Sequence, residues 1–305
     1  MSGNGFVIEA HDLSRRFGTV EAVQGLSFTV APGSVYGLLG KNGGGKTTTI
    51  RLLLGLLRPD AGSSRVLGED SARLSPACRQ RIGYLSEEPF PYTDLPVPAL
   101  LRFVSAFFPH WDWDYSNDLV ERFAVPLDRP LNVMSLGERR KCELLLVLAQ
   151  KPDLLILDDP ALGLDVTVRR EFLWAALEVA RNEGKAVLFT SHVLTDVERI
   201  VDTVGVLDGG RLKLQAPLEE LKERTKRLVF TLPGEGSPDL GPVVGELSRE
   251  RKGKDVLIVT GAYTPQLEAG LRDTTCLTAV EDLNLEDVFV ALVGSQTGAA
   301  PEETV

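Results

Sequence analysis

The sequence has 305 residues, 43% hydrophobic and 25% charged, which is ordinary for a globular protein with one large domain and a small one. The 33 Lys and Arg against 43 Asp and Glu give a net charge of −10, which argues against a nucleic-acid-binding surface spread over the whole protein. Three widely spaced cysteines form neither a disulfide framework nor a metal-ligand pattern, and no apolar run approaches the roughly 18 residues of a membrane span.

The first part of the chain places a glycine-rich loop between a predicted strand and a predicted helix. Residues 6–36 alternate apolar and polar positions between turn signals, which predicts a short antiparallel sheet. The apolar run Val35–Leu39 then leads into Gly40–Thr47, with the sequence GKNGGGKT, and an apolar-rich stretch follows. Strand, glycine loop and helix in this order are typical of a phosphate-binding loop.

The residue types of this loop suit phosphate chemistry. Its four glycines let the backbone approach phosphate oxygens, and a helix that begins near Lys46 points free N–H groups at them. Lys46 adds a positive charge for the β- and γ-phosphates, and the Thr47 hydroxyl is placed to bind Mg²⁺. The loop therefore predicts a nucleotide site.

After this helix the sequence predicts two short strands and then a helical segment. The strands lie at 65–68 and 81–85. From residue 89 to about 150, apolar residues recur at helical spacing in three stretches, at 97–108, 117–124 and 136–150. This pattern predicts a helical subdomain inserted into the α/β core.

The α/β pattern resumes after the helical insert. Apolar strands alternate with helices, in the order strand 154–157, helix 166–183, strand 186–190, helix 193–200 and strand 203–207. Such alternation predicts a mostly parallel sheet with both faces covered by helices.

The C-terminal part predicts a small second domain. A hairpin and a closing helix at 208–224 end the first domain, which we expect to span residues 5–224. Residues 225–293 contain strands at 227–231 and 255–259 and an apolar stretch at 285–290, which predict an α+β domain. Small and polar residues at 294–305 predict a disordered tail.

Three predicted strands end in chemistry that a nucleotide site needs. Ligands of open parallel sheets bind at the carboxyl ends of the strands. One strand ends in the glycine loop, another in Asp158-Asp159 and a third in Ser191-His192. Asp158 is placed to reach Mg²⁺, although a helix cap or turn is its structural alternative. Asp159 is placed to orient or deprotonate a water, and His192 to contact the γ-phosphate.

Together these motifs resemble the nucleotide-binding subunit of ATP-binding-cassette (ABC) transporters over about residues 5–220. The resemblance rests on five segments in the family's order: Gly40–Thr48 (Walker A), Met134–Glu138 (signature loop), Leu154–Asp159 (Walker B), Leu162–Asp165 (D-loop) and Ser191-His192 (switch histidine). It implies an α/β fold with a P-loop NTPase core, an N-terminal antiparallel β-subdomain, an inserted helical subdomain and a small α+β C-terminal appendage.

The resemblance also implies ATP and Mg²⁺ as cofactors. Thr47, Asp158 and Glu87 would bind Mg²⁺, and Asp159, His192 and Glu87 would act in hydrolysis. The resemblance also implies a set of nucleotide-binding residues, several of which would contact the ATP bound by a partner subunit. They are Phe17, Gly40, Asn42, Gly43, Gly44, Gly45, Lys46, Thr47, Thr48, Ser135, Gly137, Glu138 and Asp165.

Some of these residues keep a structural alternative. Phe17 would stack on adenine, but it fits nearly as well as an ordinary apolar residue of a sheet. Ser135 and Glu138 also form a capping box, and Asp165 fits a cap of the next helix. Capping is compatible with function, because a capped helix N-terminus offers free N–H groups to a γ-phosphate.

Departures from the family's pattern occur at the signature loop, at the Q-loop position and at the residue of the chemical step. Leu136 stands where glycine is usual and Glu138 where glutamine is common. Glu87 holds the position of the Q-loop glutamine, so it accepts but does not donate hydrogen bonds. Asp159 replaces the usual glutamate, with about 1.5 Å less reach. Since small misplacements lower rates strongly, we expect slow hydrolysis and normal ATP binding.

The resemblance implies an ATPase subunit of a bacterial exporter on the cytoplasmic face of the plasma membrane. Its partners would be a separate transmembrane permease and a second copy of itself or a homologous cassette, arranged head to tail. The aromatic-rich stretch 88–113 would dock the permease, or pack within the insert. Alternatives are a soluble ABC-type ATPase and a slowly hydrolysing nucleotide-dependent regulator. The coiled coil or second cassette usual in the soluble type is absent from the sequence.

Overall fold

The computed structural model describes residues 5–88, 90–182, 184–191, 193–233 and 240–294. The chain divides into two compact units, Met1–Gln215 and Ala216–Val305. No described helix is long and apolar enough to cross a membrane. The tail predicted to be disordered lies outside the described residues, apart from Gly294.

The described strands, in chain order, are β1 (Ile8–Phe17), β2 (Val20–Val30), β3 (Val35–Gly40), β4 (Ala61–Val66), β5 (Glu69–Asp70), β6 (Ile82–Leu85), β7 (Leu154–Leu157), β8 (Ala186–Ser191), β9 (Thr203–Asp208), β10 (Arg211–Pro217), β11 (Lys226–Thr231), β12 (Glu246–Lys252), β13 (Asp255–Thr260) and β14 (Leu277–Asp282). The described α-helices are α1 (Lys46–Leu53), α2 (Pro76–Gln80), α3 (Val97–Ser105), α4 (Trp113–Arg122), α5 (Leu136–Leu148), α6 (Val166–Asn182), α7 (Leu194–Val197), α8 (Leu218–Arg224), α9 (Pro265–Thr274) and α10 (Leu285–Gly294).

A six-stranded sheet in the order β10-β9-β3-β8-β7-β6 forms the centre of the first unit. Strands β3, β7 and β8 are buried along their whole length, as expected for parallel strands covered on both faces. The parallel register pairs Leu39 with Ser191 and Leu157 with Phe189. The carboxyl ends of these three strands therefore meet at one edge, and the predicted α/β class is confirmed.

The N-terminal antiparallel sheet has the order β2-β1-β4-β5. It includes strands β4 and β5, which lie beyond the residues 6–36 predicted to form it. The sequence predicts a short strand at 65–68, whereas β4 begins at Ala61 and ends at Val66. Its register pairs Val66 with Ile8, and both side chains are buried. Most residues of β4 are small or polar, so a hydrophobic pattern does not reveal this strand. It forms because it pairs with β1.

The helical segment contains α3, α4 and α5, close to the predicted positions. Asp112 caps α4 by accepting a hydrogen bond from the backbone N–H of Tyr115 at 3.0 Å. Leu100 and Leu101 of α3 are buried. The predicted helix at 193–200 is much shorter in the structure, where α7 covers Leu194–Val197.

The second unit contains a four-stranded antiparallel sheet in the order β12-β13-β11-β14. The side chains of Leu228, Phe230 and Ile258 form the centre of its buried cluster. Strands β12 and β14 and helix α9 are not predicted from the sequence. Strand β12 is mostly charged and only partly buried, so hydrophobic alternation does not reveal it.

Candidate functional site

The phosphate loop, Gly40–Thr47, is pressed against two neighbouring backbone segments. A Cβ added at Gly40 would lie 2.5 Å from the carbonyl oxygen of Leu207, and one at Gly45 would lie 2.3 Å from that of Ala22. Gly45 also has a φ of +100°, in the left-handed region that favours glycine. Packing against β9 and β2 therefore requires glycine at both positions.

Lys46 is the first residue of α1 and is buried beneath the loop. Its Nζ donates hydrogen bonds to the carbonyl oxygens of Gly40 at 2.8 Å and Lys41 at 3.1 Å. Burial lowers the pKa of Lys46, and the nearby carboxylates of Asp159 and Asp158 oppose that shift. The ammonium group is thus fixed at the floor of the loop by backbone acceptors that an anionic ligand can replace.

Asp158 follows β7, and its carboxylate faces the hydroxyl of Thr47. Its Oδ1 accepts hydrogen bonds from Thr190 Oγ1 at 2.8 Å and from Thr47 Oγ1 at 3.2 Å. Its Oδ2 is buried and has no hydrogen-bond partner among the described residues. Burial raises the pKa of Asp158, while hydrogen bonds from the two threonines lower it.

The arrangement of Thr47 and Asp158 fits a magnesium ion. A buried carboxylate oxygen without a partner needs a ligand, and Mg²⁺ prefers oxygen ligands. In nucleotide sites this ion takes one or two protein groups and completes its coordination with phosphates and water. Among the described residues, no group of three or more His, Cys, Asp or Glu is arranged to hold a metal ion. Thr47 and Asp158 supply two oxygen ligands, the number that an ion bound together with a nucleotide takes from protein.

Asp159 is half-buried and begins the turn that follows Asp158. Its φ of +42° lies in the left-handed region, which aspartate adopts more readily than most residues. Its backbone N–H donates to Thr190 Oγ1 at 2.8 Å. Because the same hydroxyl donates to Asp158, Thr190 fixes the relative positions of both acidic residues.

These groups line one cleft of about 370 Å³, a volume suited to part of a small-molecule ligand. The exposed side chain of Glu87 shares this cleft with Asp158 and Asp159. The lining residues are Ala22, Asn42, Gly43, Gly44, Gly45, Lys46, Thr47, Thr48, Glu87, Asp158, Asp159 and Leu162.

Gly40 and Phe17, two other sequence-predicted residues, do not line this cleft. Gly40 lies under the cleft and contributes its carbonyl oxygen to Lys46. Phe17, at the end of β1, has an exposed side chain, and the Arg15 guanidinium carbon lies 5.0 Å from its ring centre. His192 lies outside the described residues.

The signature loop, Met134–Glu138, does not line the cleft of its own chain. Ser135 Oγ accepts from the backbone N–H of Glu138 at 3.3 Å, and Glu138 Oε2 accepts from that of Ser135 at 2.9 Å. The capping box is therefore formed. Ser135 is exposed and Gly137 half-buried. Asp165 caps α6 by accepting from two backbone N–H groups, at 3.1 and 3.0 Å. Both capping interpretations thus hold in the structure.

Thr190 and Ala22 belong to this site but are not singled out by the sequence, and Leu162 enters the sequence analysis only as the first residue of the D-loop. Thr190 lies near the end of an apolar strand beside the strand that Asp158 follows, so a polar residue at that strand end is a usable signal. Ala22 carries no such signal. Ala22 and Leu162 reach the cleft through the packing of β2 and of the turn after β7.

Comparisons with known proteins agree with this geometry. The ABC transporter family model matches residues 23–162. Nod factor export ATP-binding protein I of Ralstonia nicotianae is 32% identical over 304 residues, covering 95% of this chain and 94% of that protein. Bacitracin transport ATP-binding protein BcrA of Bacillus licheniformis is 29% identical over 303 residues, covering 95% and 98%.

Among solved structures, an ATP-binding subunit of an ABC transporter superposes with a TM-score of 0.64 at 27% identity. The alignment covers 71% of this chain and 92% of that one. The similarity to these relatives extends over almost the whole chain and includes the glycine loop, the paired aspartates and the signature loop. The chain belongs to the ABC transporter family, as an ATP-binding subunit that hydrolyses ATP.

Proposed function

We propose that this subunit binds Mg²⁺ and ATP in the cleft and works as a head-to-tail dimer that drives a separate transmembrane permease. One observation carries the proposal. The buried Lys46 ammonium, the Thr47 hydroxyl and the partnerless Oδ2 of Asp158 meet at the end of a glycine loop. This is the donor and acceptor set that a nucleotide phosphate with a divalent cation requires.

Binding uses groups that are already in position. Lys46 exchanges its bonds to the Gly40 and Lys41 carbonyls for bonds to phosphate oxygens, and the first N–H groups of α1 point at the same anion. Thr47 and Asp158 would hold Mg²⁺, which would neutralise charge on the β- and γ-phosphates. Asn42 and Thr48 add polar groups at the rim.

Hydrolysis needs a water placed against the γ-phosphate. Asp159 is proposed to orient this water and accept its proton, because its half-buried carboxylate lines the cleft beside Asp158. Glu87, in the same cleft, accepts hydrogen bonds from the water or binds Mg²⁺. His192 is proposed to contact the γ-phosphate, and Phe17 to stack on the adenine.

The second half of each site comes from a partner, either a second copy or a homologous cassette. Ser135, Gly137, Glu138 and Asp165 lie outside their own chain's cleft and are proposed to contact the ATP of the partner. In support, α5 begins at an exposed residue, and the first N–H groups of any helix lack intrahelical acceptors. An N-terminus of this kind favours an anion.

We propose that the permease docks on the helical segment and that the complex exports its substrate. Phe90, Tyr92, Phe103 and Phe107 form a continuous series of ring contacts, and the last three are substantially exposed. The relatives named as export and transport ATP-binding proteins support export. The subunit would then lie on the cytoplasmic face of the plasma membrane, attached through the permease.

Lys46→Ala tests the nucleotide site. Removing the buried cation should weaken the binding of a fluorescent ATP analogue at least about a hundredfold and abolish phosphate release, because the phosphates lose their main cationic partner. Lys41→Ala is the matched control, since Lys41 contributes its backbone carbonyl to the Lys46 contact. Unchanged affinity in Lys46→Ala would reject the assignment of the loop.

A further inference from the structure

Helix α5 carries a buried ion pair beyond the signature loop. Arg140 and Glu143 are 5% and 3% exposed, and Arg140 Nη1 lies 2.8 Å from Glu143 Oε2. Taking two charges out of water is costly unless their remaining hydrogen-bonding groups are also satisfied. The other hydrogen bonds of the pair satisfy both Glu143 oxygens and both Arg140 Nη atoms, while Arg140 Nε has no partner among the described residues.

Those contacts all reach the short segment that follows β6. Arg140 Nη1 donates to the carbonyl oxygen of Ser86 at 2.9 Å, and Nη2 donates to that of Glu87 at 2.7 Å. Glu143 Oε1 accepts from the backbone N–H of Phe90 at 3.2 Å. Two side chains one turn apart on α5 thus hold three backbone groups around Glu87.

We propose that Arg140 and Glu143 are positioning residues that keep the carboxylate of Glu87 in the nucleotide cleft. The inference rests on the proposed function, in which Glu87 acts at the γ-phosphate. Glu87 itself is exposed, and its side chain has no hydrogen bond among the described residues, so its backbone must be fixed from elsewhere. Because α5 begins at the signature loop, the pair ties Glu87 to the helix that contacts the partner's ATP.

The geometry explains why this position carries arginine. A guanidinium group presents several donors in a planar fork, so Arg140 binds two successive carbonyls and a carboxylate together. A lysine ammonium is a single point on a flexible stem and does not reproduce this arrangement. Arg140→Lys should therefore keep the charge but release the segment.

The second unit offers a matched control. Arg249 binds Glu246, three residues away, together with the successive carbonyl oxygens of Leu240 and Gly241 at 2.7 and 3.0 Å. Glu246 in turn accepts from the backbone N–H of Val243 at 3.1 Å. Arg249→Lys thus removes the same kind of clamp within the second unit.

The test uses the full chain and three readouts. Hydrogen exchange of the peptide from Ser86 to Phe90 reports how firmly the segment is held. Titration with a fluorescent ATP analogue reports nucleotide binding, and phosphate release at saturating ATP reports kcat. For Arg140→Lys we expect about tenfold faster exchange in this peptide and about tenfold lower kcat, since displacements of about 1 Å can cost a hundredfold. ATP affinity should be unchanged.

Two further variants separate positioning from general support of the fold. Glu143→Gln keeps an oxygen for Phe90 and should lower kcat less than Arg140→Lys does. Arg249→Lys should leave kcat at the wild-type value. Faster exchange without a loss of kcat would overturn the proposal. So would equal acceleration of exchange along the whole of α5, or loss of the folded state in both Arg140→Lys and Glu143→Gln.

The result is distinguishable from failure of the proposed function. If wild type releases phosphate and Lys46→Ala does not, the nucleotide site stands whatever the Arg140→Lys variant shows. If wild type neither binds ATP nor releases phosphate, the proposed function fails, and the inference that rests on it falls with it. The exchange data then describe a structural clamp alone.

Discussion

The nucleotide cleft and the signature loop differ in how far a single chain completes them. In the cleft, Lys46 and Asp158 are buried, and their hydrogen bonds link the glycine loop, β7 and β8. At the signature loop, Ser135 and Glu138 bond to each other, and Ser135 is exposed. In our account, one chain builds the phosphate half of the site in advance and leaves the other half to a partner.

Gly45→Ala should produce the largest difference between the two regions. The added Cβ would lie 2.3 Å from a backbone oxygen, and φ is +100°, so the loop must shift to accept it. We expect affinity for a fluorescent ATP analogue to fall about a hundredfold, since displaced donors lose their alignment with the phosphates. Equilibrium titration of the purified variant measures this change.

Gly137→Ala is the matched change in the signature loop. Its Cβ would lie 2.9 Å from Cγ1 of Val168, a side-chain atom that can move. ATP affinity of the isolated chain should stay at the wild-type value, while turnover falls because turnover needs the paired state. If Gly137→Ala weakened ATP binding as much as Gly45→Ala does, the proposed division between the two regions would fail.

Asp159→Glu should have the next largest effect and should act in the cleft alone. The longer side chain restores about 1.5 Å of reach toward the attacking water. We expect kcat to rise about tenfold, equivalent to ~1.4 kcal/mol of activation free energy. Steady-state phosphate release at saturating ATP, with the permease present, measures it. A slower enzyme would contradict the prediction that reach limits the rate, because a φ of +42°, which aspartate adopts more readily than glutamate, would then outweigh the gain in reach.

The pH dependence of Mg²⁺ binding should give a smaller effect, centred on Asp158. Burial raises the pKa of this carboxyl, so Mg²⁺ competes with a proton at a higher pH than at an ordinary aspartate. Mg²⁺-dependent nucleotide affinity should fall as the pH drops through the raised pKa. Asp158→Asn should abolish this step.

The same group has an opposite effect on the ligand-free protein. The folded state holds this proton more tightly than the unfolded chain, so the contribution of Asp158 to the free energy of unfolding is present at low pH and is lost as the pH rises through the raised pKa. Chemical denaturation across pH, in wild type and Asp158→Asn, measures the difference. If the free energy of unfolding of wild type and of Asp158→Asn changed with pH in the same way, the raised pKa would not belong to Asp158.

The sequence predicts the cleft well because its groups follow buried strands. Runs such as Leu154–Leu157 mark parallel strands, and parallel strands bring their carboxyl ends to one edge. The sequence alone therefore predicts that Asp158 and the glycine loop lie close together. The fold class follows from the same alternation of strands and helices.

Other features depend on tertiary packing that no local pattern encodes. The recruitment of β4 by β1 needs the pairing of Val66 with Ile8, and strand β12 is largely charged. The hydroxyl of Thr190 joins Asp158 to the N–H of Asp159 only because β7 and β8 are neighbours. Propensity and hydrophobic spacing carry no information on such contacts.

Sedimentation of Asp159→Asn tests directly whether ATP brings two chains together. Asparagine tolerates the left-handed backbone of this position, and it lacks the carboxylate proposed to accept the proton, so the variant should bind ATP without hydrolysing it. With excess ATP and Mg²⁺ we expect a dimer, and without nucleotide we expect a monomer. A variant that binds ATP and stays monomeric would contradict the proposal that a second copy of this chain completes the site.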